Sequence, residues 1–228
     1  MIVLFWDIDG TLLSTARAGV YSLEAALEEI TGRPSDLSGM ATAGMTDYSI
    51  AESALAAAGH ATDEQTVQRF LDIHGRQLSG YLGRRQGHVM PNVREVLEDL
   101  EGRDDVRSVL LTGNTEAGAA AKLVHYGLAV FFQAGGAFCV GPGDRDSIAR
   151  RASPLAEGAD AYYVIGDTPA DITSGKAIGA RTIAVATGSY DASSLAAHKP
   201  WRVLDRIPEP PSFRALVGVD EPALAGGY

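Results

Sequence analysis

Two aspartates, Asp7 and Asp9, follow directly on an apolar run near the start of the chain. The run, Ile2–Trp6, is five large apolar residues without alternation, which is typical of a strand buried on both faces of a parallel sheet. Ligands of open parallel sheets bind in a crevice at the carboxyl ends of the strands. Both carboxylates are therefore expected in that crevice, where they can act as a nucleophile, as a general acid and base or as metal ligands.

Polar residues also follow three later apolar runs. Each has an ordinary explanation by itself; Asp167, for example, has the features of a helix N-cap. Because the ends of parallel strands meet at one edge of the sheet, the shared pattern indicates a single site. The residues are Thr112, Gly113, Asn114, Arg145, Asp167 and Asp171.

A cluster of Asp7, Asp9, Asp167 and Asp171 needs a cation. Two like charges about 4 Å apart repel by roughly 4 kcal/mol at an effective dielectric constant near 20, and a domain is stable by only about 5 to 15 kcal/mol. A set of oxygen ligands from few side chains favours Mg²⁺, which keeps several waters and leaves room for a substrate phosphate. The sequence therefore predicts a magnesium site.

The elements that must position these residues alternate between strands and helices. Helical periodicity without an intervening strand covers most of residues 14–88, and alternation returns near residue 89. The pattern predicts an α/β fold: a Rossmann-like parallel sheet core of residues 1–13 and 89–206, an inserted all-helical domain of residues 14–88, and a C-terminal tail of residues 207–228. Later strands are predicted at 106–111, 137–140, 161–165 and 182–186.

Composition excludes several classes of partner. The 228-residue chain has a formal net charge of -10 and a pI near 4.9, which disfavours a nucleic acid partner. No apolar run approaches the roughly 20 residues that span a bilayer, and the start lacks the basic segment of a signal peptide. The single cysteine, Cys139, excludes an internal disulfide. We expect a cytoplasmic monomer or homodimer.

Three segments resemble, in order and spacing, the signature motifs of the haloacid dehalogenase superfamily. They are Asp7-Ile-Asp-Gly-Thr-Leu12, Thr112 after an apolar strand, and Gly166-Asp-Thr-Pro-Ala-Asp171. The resemblance extends to about Gly188, and the helical insertion is similar to the cap domain that this superfamily places after the first motif. The phosphoglycolate phosphatase-like hydrolases are the most similar subgroup.

The resemblance implies a Mg²⁺-dependent phosphatase that hydrolyses a small-molecule phosphate monoester. Asp7 would form an aspartyl-phosphate, and Asp9 would act as general acid and base. Thr112 would hold the transferring phosphoryl group. Mg²⁺ would be bound by Asp7, the Asp9 main-chain carbonyl and Asp167, with Asp171 in support.

The remaining expected site residues supply a positive charge or contact the substrate. The superfamily usually has a lysine shortly before its last motif; this chain lacks one there, and Arg145 is the best substitute, although arginine and lysine are not interchangeable. The loop of residues 38–46 is expected to set substrate choice. The expected substrate contacts are Gly10, Thr11, Thr46, Gly113 and Asn114.

Two alternative functions stay open. A phosphosugar mutase of the same superfamily would keep Asp9 and a similar cap, and a non-catalytic scaffold would keep the metal site alone. The intact pair of Asp7 and Asp9 argues against the scaffold. His74 lies on an apolar helical face and is expected to be a core residue rather than a ligand.

Overall fold

A six-stranded parallel sheet is the centre of the computed structural model, which describes residues 1–219. The strands in chain order are β1 (Ile2–Trp6), β2 (Leu13–Ser14), β3 (His88–Val89), β4 (Val106–Thr115), β5 (Gly136–Cys139), β6 (Ala161–Gly166), β7 (Arg181–Val185) and β8 (Arg202–Leu204). The sheet has the order β5-β4-β1-β6-β7-β8, and its five strand pairs are all parallel. The α/β prediction is confirmed.

Nine α-helices flank and extend this sheet within residues 1–219. They are α1 (Ala18–Thr31), α2 (Asp47–Ala57), α3 (Glu64–Leu82), α4 (Val93–Leu100), α5 (Glu116–His125), α6 (Arg145–Ala152), α7 (Pro169–Ala177), α8 (Ala192–Ala197) and α9 (Pro210–Val217). Two short 3₁₀ helices, Ala129–Phe132 and Ser153–Ala156, complete the connections.

The first strand lies at the centre of the sheet, between β4 and β6. Val3 and Phe5 belong to the apolar cluster on one face, whereas Leu4 and Trp6 belong to the cluster on the other face. Helices cover both faces, so every position of this strand after Ile2 is buried. An uninterrupted apolar run is the sequence pattern that this environment requires.

Helices α1, α2 and α3 form an insertion between β2 and β3. These two short strands pair antiparallel, with Leu13 opposite Val89 and Ser14 opposite His88. The chain therefore enters and leaves the insertion at one place. Apolar residues of the insertion, including Phe70, belong to the same cluster as Val3 and Phe5. This packing holds the insertion over one side of the sheet.

Strand β4 is longer than the sequence indicates. It was expected to end at residue 111, but it continues to Thr115, and its register with β5 is irregular between Leu111 and Thr115. The polar residues Thr112 to Asn114 are buried, and their side chains bond with one another and with the site rather than with solvent. The apolar pattern could not reveal this extension, because the residues concerned are polar.

The prediction of a C-terminal tail is wrong for residues 210–217, which form α9. Phe213 of this helix is fully buried and stacks on Trp6, with 5.6 Å between the ring centroids. The Tyr163 hydroxyl donates to the main-chain oxygen of Val217 at 3.0 Å. The helix thus closes one face of the core. Residues 220–228 of the predicted tail lie outside the described residues.

Removal of the Phe213 ring is expected to destabilise the fold strongly. Phe213→Ala should lower the free energy of unfolding by about 3 to 5 kcal/mol, because it leaves a cavity against Trp6. Phe213→Leu, which keeps much of the volume, should cost about 1.5 kcal/mol or less. Urea denaturation followed by tryptophan fluorescence measures both variants. A loss below about 1 kcal/mol for Phe213→Ala would show that α9 does not pack as described.

Within residues 1–219 no helix is long and apolar enough to cross a bilayer.

Candidate active site

The carboxyl ends of β1, β4 and β6 meet at a cavity of about 410 Å³. The sheet side of its wall includes residues that were singled out in the sequence: Asp7, Asp9, Gly10, Gly113, Asn114, Arg145 and Asp167. The helical insertion supplies the other side, through the loop of residues 42–45 and through Asp47 and His74. The predicted residues from distant parts of the chain therefore share one site between the sheet and the insertion.

Three buried carboxylates cluster at this site. Asp7, Asp167 and Asp171 are all buried, and one oxygen of each lies within 4.8 Å of the others. Burial is the main cause that raises the pKa of Asp7 to about 7 and that of Asp167 to about 8. The charge of Arg145 opposes the rise at Asp7, whereas the neighbouring carboxylates add to the rise at both. The Asp9 side chain, expected in the same acidic cluster, is not among these three carboxylates.

Neighbouring hydroxyl and amide groups hold the carboxylates in place. Asp171 accepts hydrogen bonds from the Thr168 main-chain N–H at 3.0 Å and from the Thr168 hydroxyl at 2.7 Å, in a capping box that begins α7. The Thr11 hydroxyl donates to Asp167 Oδ1 at 3.2 Å. Thr11 is fully buried, so the structure places it against a carboxylate rather than in contact with a substrate as expected.

Two glycines leave room around Asp167. Gly10 has a φ of 82°, and a Cβ atom there would lie 2.4 Å from Asp167 Oδ2. A Cβ atom on Gly188, in the loop after β7, would lie 1.7 Å from the same oxygen. Since real Cβ atoms do not approach so closely, any larger residue at either position would displace the carboxylate.

Arg145 provides the positive charge within the cluster. This first residue of α6 is buried, and its Nη2 lies 3.1 Å from Asp7 Oδ1 and also bonds with Asp171. Burial alone would lower the pKa of Arg145, but Asp171 and Asp7 raise it above its usual value, so the guanidinium stays charged. Arg151, on the same helix, instead donates to the Phe138 main-chain oxygen.

The cluster has the donor chemistry of a metal site. Asp7 Oδ1 is buried, and apart from its ion pair with Arg145 it has no hydrogen-bond partner in the described part of the chain, so it can still serve as a metal ligand. Three carboxylates with one guanidinium leave excess negative charge when all are ionised. Carboxylate oxygens are ligands for hard divalent cations, and such a cation would relieve this repulsion. These residues could therefore hold a metal ion.

The raised pKa values predict how the pH controls stability. Because Asp7 and Asp167 bind protons more tightly in the folded state than in the unfolded chain, the metal-free protein should lose stability as the pH rises from about 4 to about 8. A divalent cation binds the ionised carboxylates and offsets that loss. Mg²⁺ should therefore raise the melting temperature more at about pH 8 than at about pH 5.5.

Thermal unfolding with Mg²⁺ and with EDTA at both pH values measures this effect. At about 100 times the dissociation constant, the metal should contribute about 2.7 kcal/mol. An equal effect of Mg²⁺ at the two pH values would contradict the titration of the cluster.

Asp9 has a separate set of partners. Its Oδ2 accepts from Asn114 Nδ2 at 2.9 Å and from Lys122 Nζ at 2.5 Å. Lys122 also donates to Asn114 Oδ1 at 2.6 Å, and Asn114 Nδ2 donates to the Thr112 hydroxyl at 2.8 Å. Burial alone would raise the pKa of Asp9, but the charge and hydrogen bond of Lys122 lower it. Asp9 is therefore held ionised beside Asp7.

Three further polar residues belong to the site, although the sequence did not single them out as ligands. Lys122 is buried and bonded to Asp9. Asp47 accepts from the Thr115 main-chain N–H at 2.7 Å. His74, expected to be a core residue, lies on the cavity wall. Lys122 shares the buried face of α5 with Gly118, Ala119 and Leu123, so helical periodicity could have revealed it.

His74 and Asp47 lie close enough to interact electrostatically. Burial lowers the pKa of His74, and the smaller effect of the Asp47 carboxylate acts in the opposite direction. The imidazole is therefore neutral. Its main-chain oxygen accepts from the Ser22 hydroxyl at 2.9 Å, which fixes this part of α3 against α1.

Two more expected contacts differ in detail. Thr46 caps α2, since its hydroxyl accepts from the Ser49 main-chain N–H at 3.1 Å. Among the described residues of that loop, Thr42 to Met45 line the cavity and Thr46 does not. Thr112 is fully buried, and its hydroxyl acts on Asp7 by lowering the pKa of that carboxyl. Loop residues before Thr46 are thus better placed to contact a substrate.

Comparisons with solved structures agree with this architecture. A predicted phosphatase from Clostridium acetobutylicum has a TM-score of 0.71 at 18% identity, covering 95% of this chain and 98% of that chain. A predicted phosphoglycolate phosphatase from Haemophilus somnus 129PT has a TM-score of 0.67 at 17% identity, covering 96% and 97%. A candidate beta-phosphoglucomutase from Bacteroides vulgatus has a TM-score of 0.68 at 18% identity, covering 96% and 88%. At these identities the likeness shows the fold alone.

Family models match the same part of the chain that forms the site. The model for HAD-hydrolase-like proteins matches residues 145–210, and no curated protein matches the sequence. The model for haloacid dehalogenase-like hydrolases matches residues 4–176, which include both aspartates after β1, the end of β4 and the aspartates after β6. With its motifs brought together at one edge of the sheet, the chain belongs to the haloacid dehalogenase-like hydrolases.

Proposed function

We propose that this protein is a Mg²⁺-dependent phosphatase that hydrolyses a small phosphate monoester. The observation that carries the proposal is Asp7, whose buried Oδ1 has no hydrogen-bond partner among the described residues apart from its ion pair with Arg145. Asp7 lies on the cavity wall with Asp9, next to carboxylates that could hold a metal ion. This arrangement supplies a nucleophile, a proton carrier and a site for a cation that offsets the phosphate charge.

The metal would be held by Asp7 and Asp167, with Asp171 and the Asp9 main-chain carbonyl in support. Magnesium fits the all-oxygen set and would neutralise charge on the transferring phosphoryl group. Arg145 holds Asp7 in position through their 3.1 Å ion pair and adds a second positive charge. Gly113 and Asn114, at the end of β4, would bind phosphoryl oxygens through their main-chain N–H groups.

Hydrolysis would proceed in two displacements at phosphorus. In the first, an Asp7 oxygen forms a bond to phosphorus, the bond from phosphorus to the ester oxygen breaks, and Asp9 gives its proton to that oxygen. In the second, Asp9 takes a proton from water, the water oxygen bonds to phosphorus, and the phosphorus bond to Asp7 breaks. Inorganic phosphate leaves, and Asp7 and the protonated Asp9 are restored.

The contacts of Asp9 suit one half of this cycle better than the other. Lys122 and Asn114 hold the carboxylate ionised, which is the form that activates water. Delivery of a proton requires the protonated form, which becomes more favourable when the negative charge of a phosphate enters beside it. Asp9 therefore depends on substrate binding for its acid role.

A mutase of the same superfamily is the second candidate. It rests on the fold shared with the candidate beta-phosphoglucomutase from Bacteroides vulgatus. A mutase would return the phosphoryl group of Asp7 to a second sugar hydroxyl, whereas a phosphatase gives it to water. A non-catalytic scaffold is disfavoured, because a metal site alone would not need Asp9 paired with Lys122. We further propose a cytoplasmic monomer or homodimer with helices α1 to α3 as a cap.

Phosphate release from a panel of small phosphate esters, with Mg²⁺ and with EDTA, tests the proposal. We expect release that depends on Mg²⁺, together with a transient mass increase of one phosphoryl group on the protein. The mutase would be favoured if sugar phosphates release inorganic phosphate only after their phosphoryl group has moved to another hydroxyl. No release and no phosphoryl-protein from any ester, with the fold intact, would overturn both enzymatic proposals.

A further inference from the structure

His74 is a buried side chain with one ring nitrogen, Nδ1, that has no hydrogen-bond partner in the described chain. It is 2% exposed, and its Nδ1 is fully buried without a hydrogen bond. The imidazole lines the cavity from the side of the helical insertion. A buried polar atom without a partner costs about 1 to 3 kcal/mol, so natural proteins rarely keep one that has no ligand or water to bind.

Asp47 supplies an acceptor on the same side of the cavity. Its Oδ2 is fixed by the Thr115 main-chain N–H at 2.7 Å, and a carboxylate has further lone pairs that can accept from a ligand. Asp47 is buried at the start of α2, and it also lines the cavity. A carboxylate accepts hydrogen bonds, whereas a neutral imidazole both donates and accepts. Together they match a hydroxyl group, which also does both.

The charges around the cavity disfavour a carboxylate at this position. Of the cations on its wall in the described chain, Lys122 is paired with Asp9, and Arg145 is paired with Asp7 and Asp171. Arg17 is exposed and stacks over the ring of Tyr21 at 5.7 Å. A second anionic group beside Asp47 would therefore meet a like charge, and the two buried cations of the wall are already paired with other carboxylates.

We propose that His74 and Asp47 form a subsite that binds a hydroxyl group of the leaving alcohol and selects against a carboxylate there. The ligand class is a phosphate monoester of a small polyhydroxylated alcohol. The inference rests on the proposed phosphatase function and deepens it. It differs from what the phosphoglycolate phosphatase-like resemblance implies, because phosphoglycolate carries a carboxylate and has no free hydroxyl.

Three esters of similar size test the subsite: glycerol phosphate, propyl phosphate without the hydroxyls, and phosphoglycerate with a carboxylate. The wild-type protein with Mg²⁺ should show a kcat/KM for glycerol phosphate that exceeds the value for each of the others by about 10-fold or more. His74→Leu should bring the kcat/KM for glycerol phosphate close to the kcat/KM for propyl phosphate. His74→Gln, which can still donate and accept, should recover part of the preference for glycerol phosphate.

Two further variants separate the subsite from general effects on the fold. His60→Leu, at an exposed histidine after α2, should leave the kcat/KM for glycerol phosphate unchanged relative to those for propyl phosphate and phosphoglycerate. Asp47→Asn can still accept from Thr115 but lacks the charge, so it should raise kcat/KM for phosphoglycerate relative to glycerol phosphate. Circular dichroism melting of each variant shows whether it is folded.

The outcomes distinguish this inference from the proposed function. Release of phosphate from all three esters at similar kcat/KM, a preference for phosphoglycerate, or an unchanged preference for glycerol phosphate over propyl phosphate in folded His74→Leu would overturn the subsite and leave the phosphatase intact. If no ester is hydrolysed, the proposed phosphatase function is wrong. The quantity compared is then the affinity of the wild-type protein for the same three esters, measured by calorimetry. Tighter binding of glycerol phosphate that is lost in His74→Leu would then support the subsite, and equal affinities would overturn it.

Discussion

Asp7→Asn is expected to lower kcat for ester hydrolysis by at least about 10⁴-fold. Asparagine has nearly the same shape as aspartate, but its amide is a poor nucleophile and a weak metal ligand. No phosphoryl-protein should form in the variant. The measurement is phosphate release with Mg²⁺, combined with intact-protein mass spectrometry after a short reaction.

The same substitution should leave the fold intact, which separates a chemical effect from a structural one. Burial raises the pKa of Asp7 to about 7; Arg145 opposes the rise and the charge of Asp171 adds to it. Removal of the charge therefore avoids the cost of burying it and the repulsion with Asp171. Without metal, the variant should therefore melt at the same temperature as the wild type or higher, and it should gain less stability from Mg²⁺. Asp104→Asn, at an exposed aspartate in the turn before β4, is the matched control. Substantial turnover by Asp7→Asn would rule out Asp7 as the nucleophile.

Arg145→Met is expected to weaken both the fold and the activity. Arg145 is the buried cation that contacts Asp7 and Asp171, and removal of one partner of a buried ion pair costs about 3 to 5 kcal/mol. The metal-free variant should lose about that much stability near neutral pH, and Mg²⁺ should restore part of it. Activity with saturating Mg²⁺ should fall by about 10² to 10³-fold, since Asp7 is no longer held in position.

Two other variants show whether the effect belongs to the charge at this position. Arg145→Lys keeps one positive charge but not the planar guanidinium, whose Nη2 contacts both carboxylates, so its activity should be intermediate. Arg151→Met removes an exposed guanidinium of the same helix, whose hydrogen bond goes to Phe138, and should behave almost like the wild type. Activity of Arg145→Met within about threefold of the wild type would contradict the role of Arg145 in orienting the nucleophile.

Many of the candidate-site residues at the carboxyl ends of the strands could be predicted, because the pattern within each strand is enough to show where it ends. A strand buried on both faces must be apolar throughout, so the change from Trp6 to Asp7 marks its end without knowledge of its neighbours. The same reasoning located Asp167 after β6. It failed at β4, which continues through Thr112 to Thr115, because polar residues in a strand that faces a site look like a loop.

The C-terminal helix and the roles of several threonines escaped prediction for another reason. Three prolines in residues 207–211 indicate a connector, but two of them only begin α9, where the missing N–H has no cost. Thr11 and Thr46 each carry a hydroxyl close to the motifs. Whether that hydroxyl meets a substrate or a neighbouring protein group depends on which way the backbone turns, and both here bond with the protein.

The sequence by itself determined the sheet, the helical insertion and the acidic residues at the strand ends, since these follow from periodicity and from the geometry common to parallel sheets. Only the tertiary structure decided that Lys122 bonds with Asp9, 113 residues away, and that Asp47 and His74 lie on the cavity wall. A polar residue on the buried face of a helix can be opposed by core side chains or by a cavity. The packing of the insertion against the sheet determines which, and that packing depends on side chains far apart in the chain.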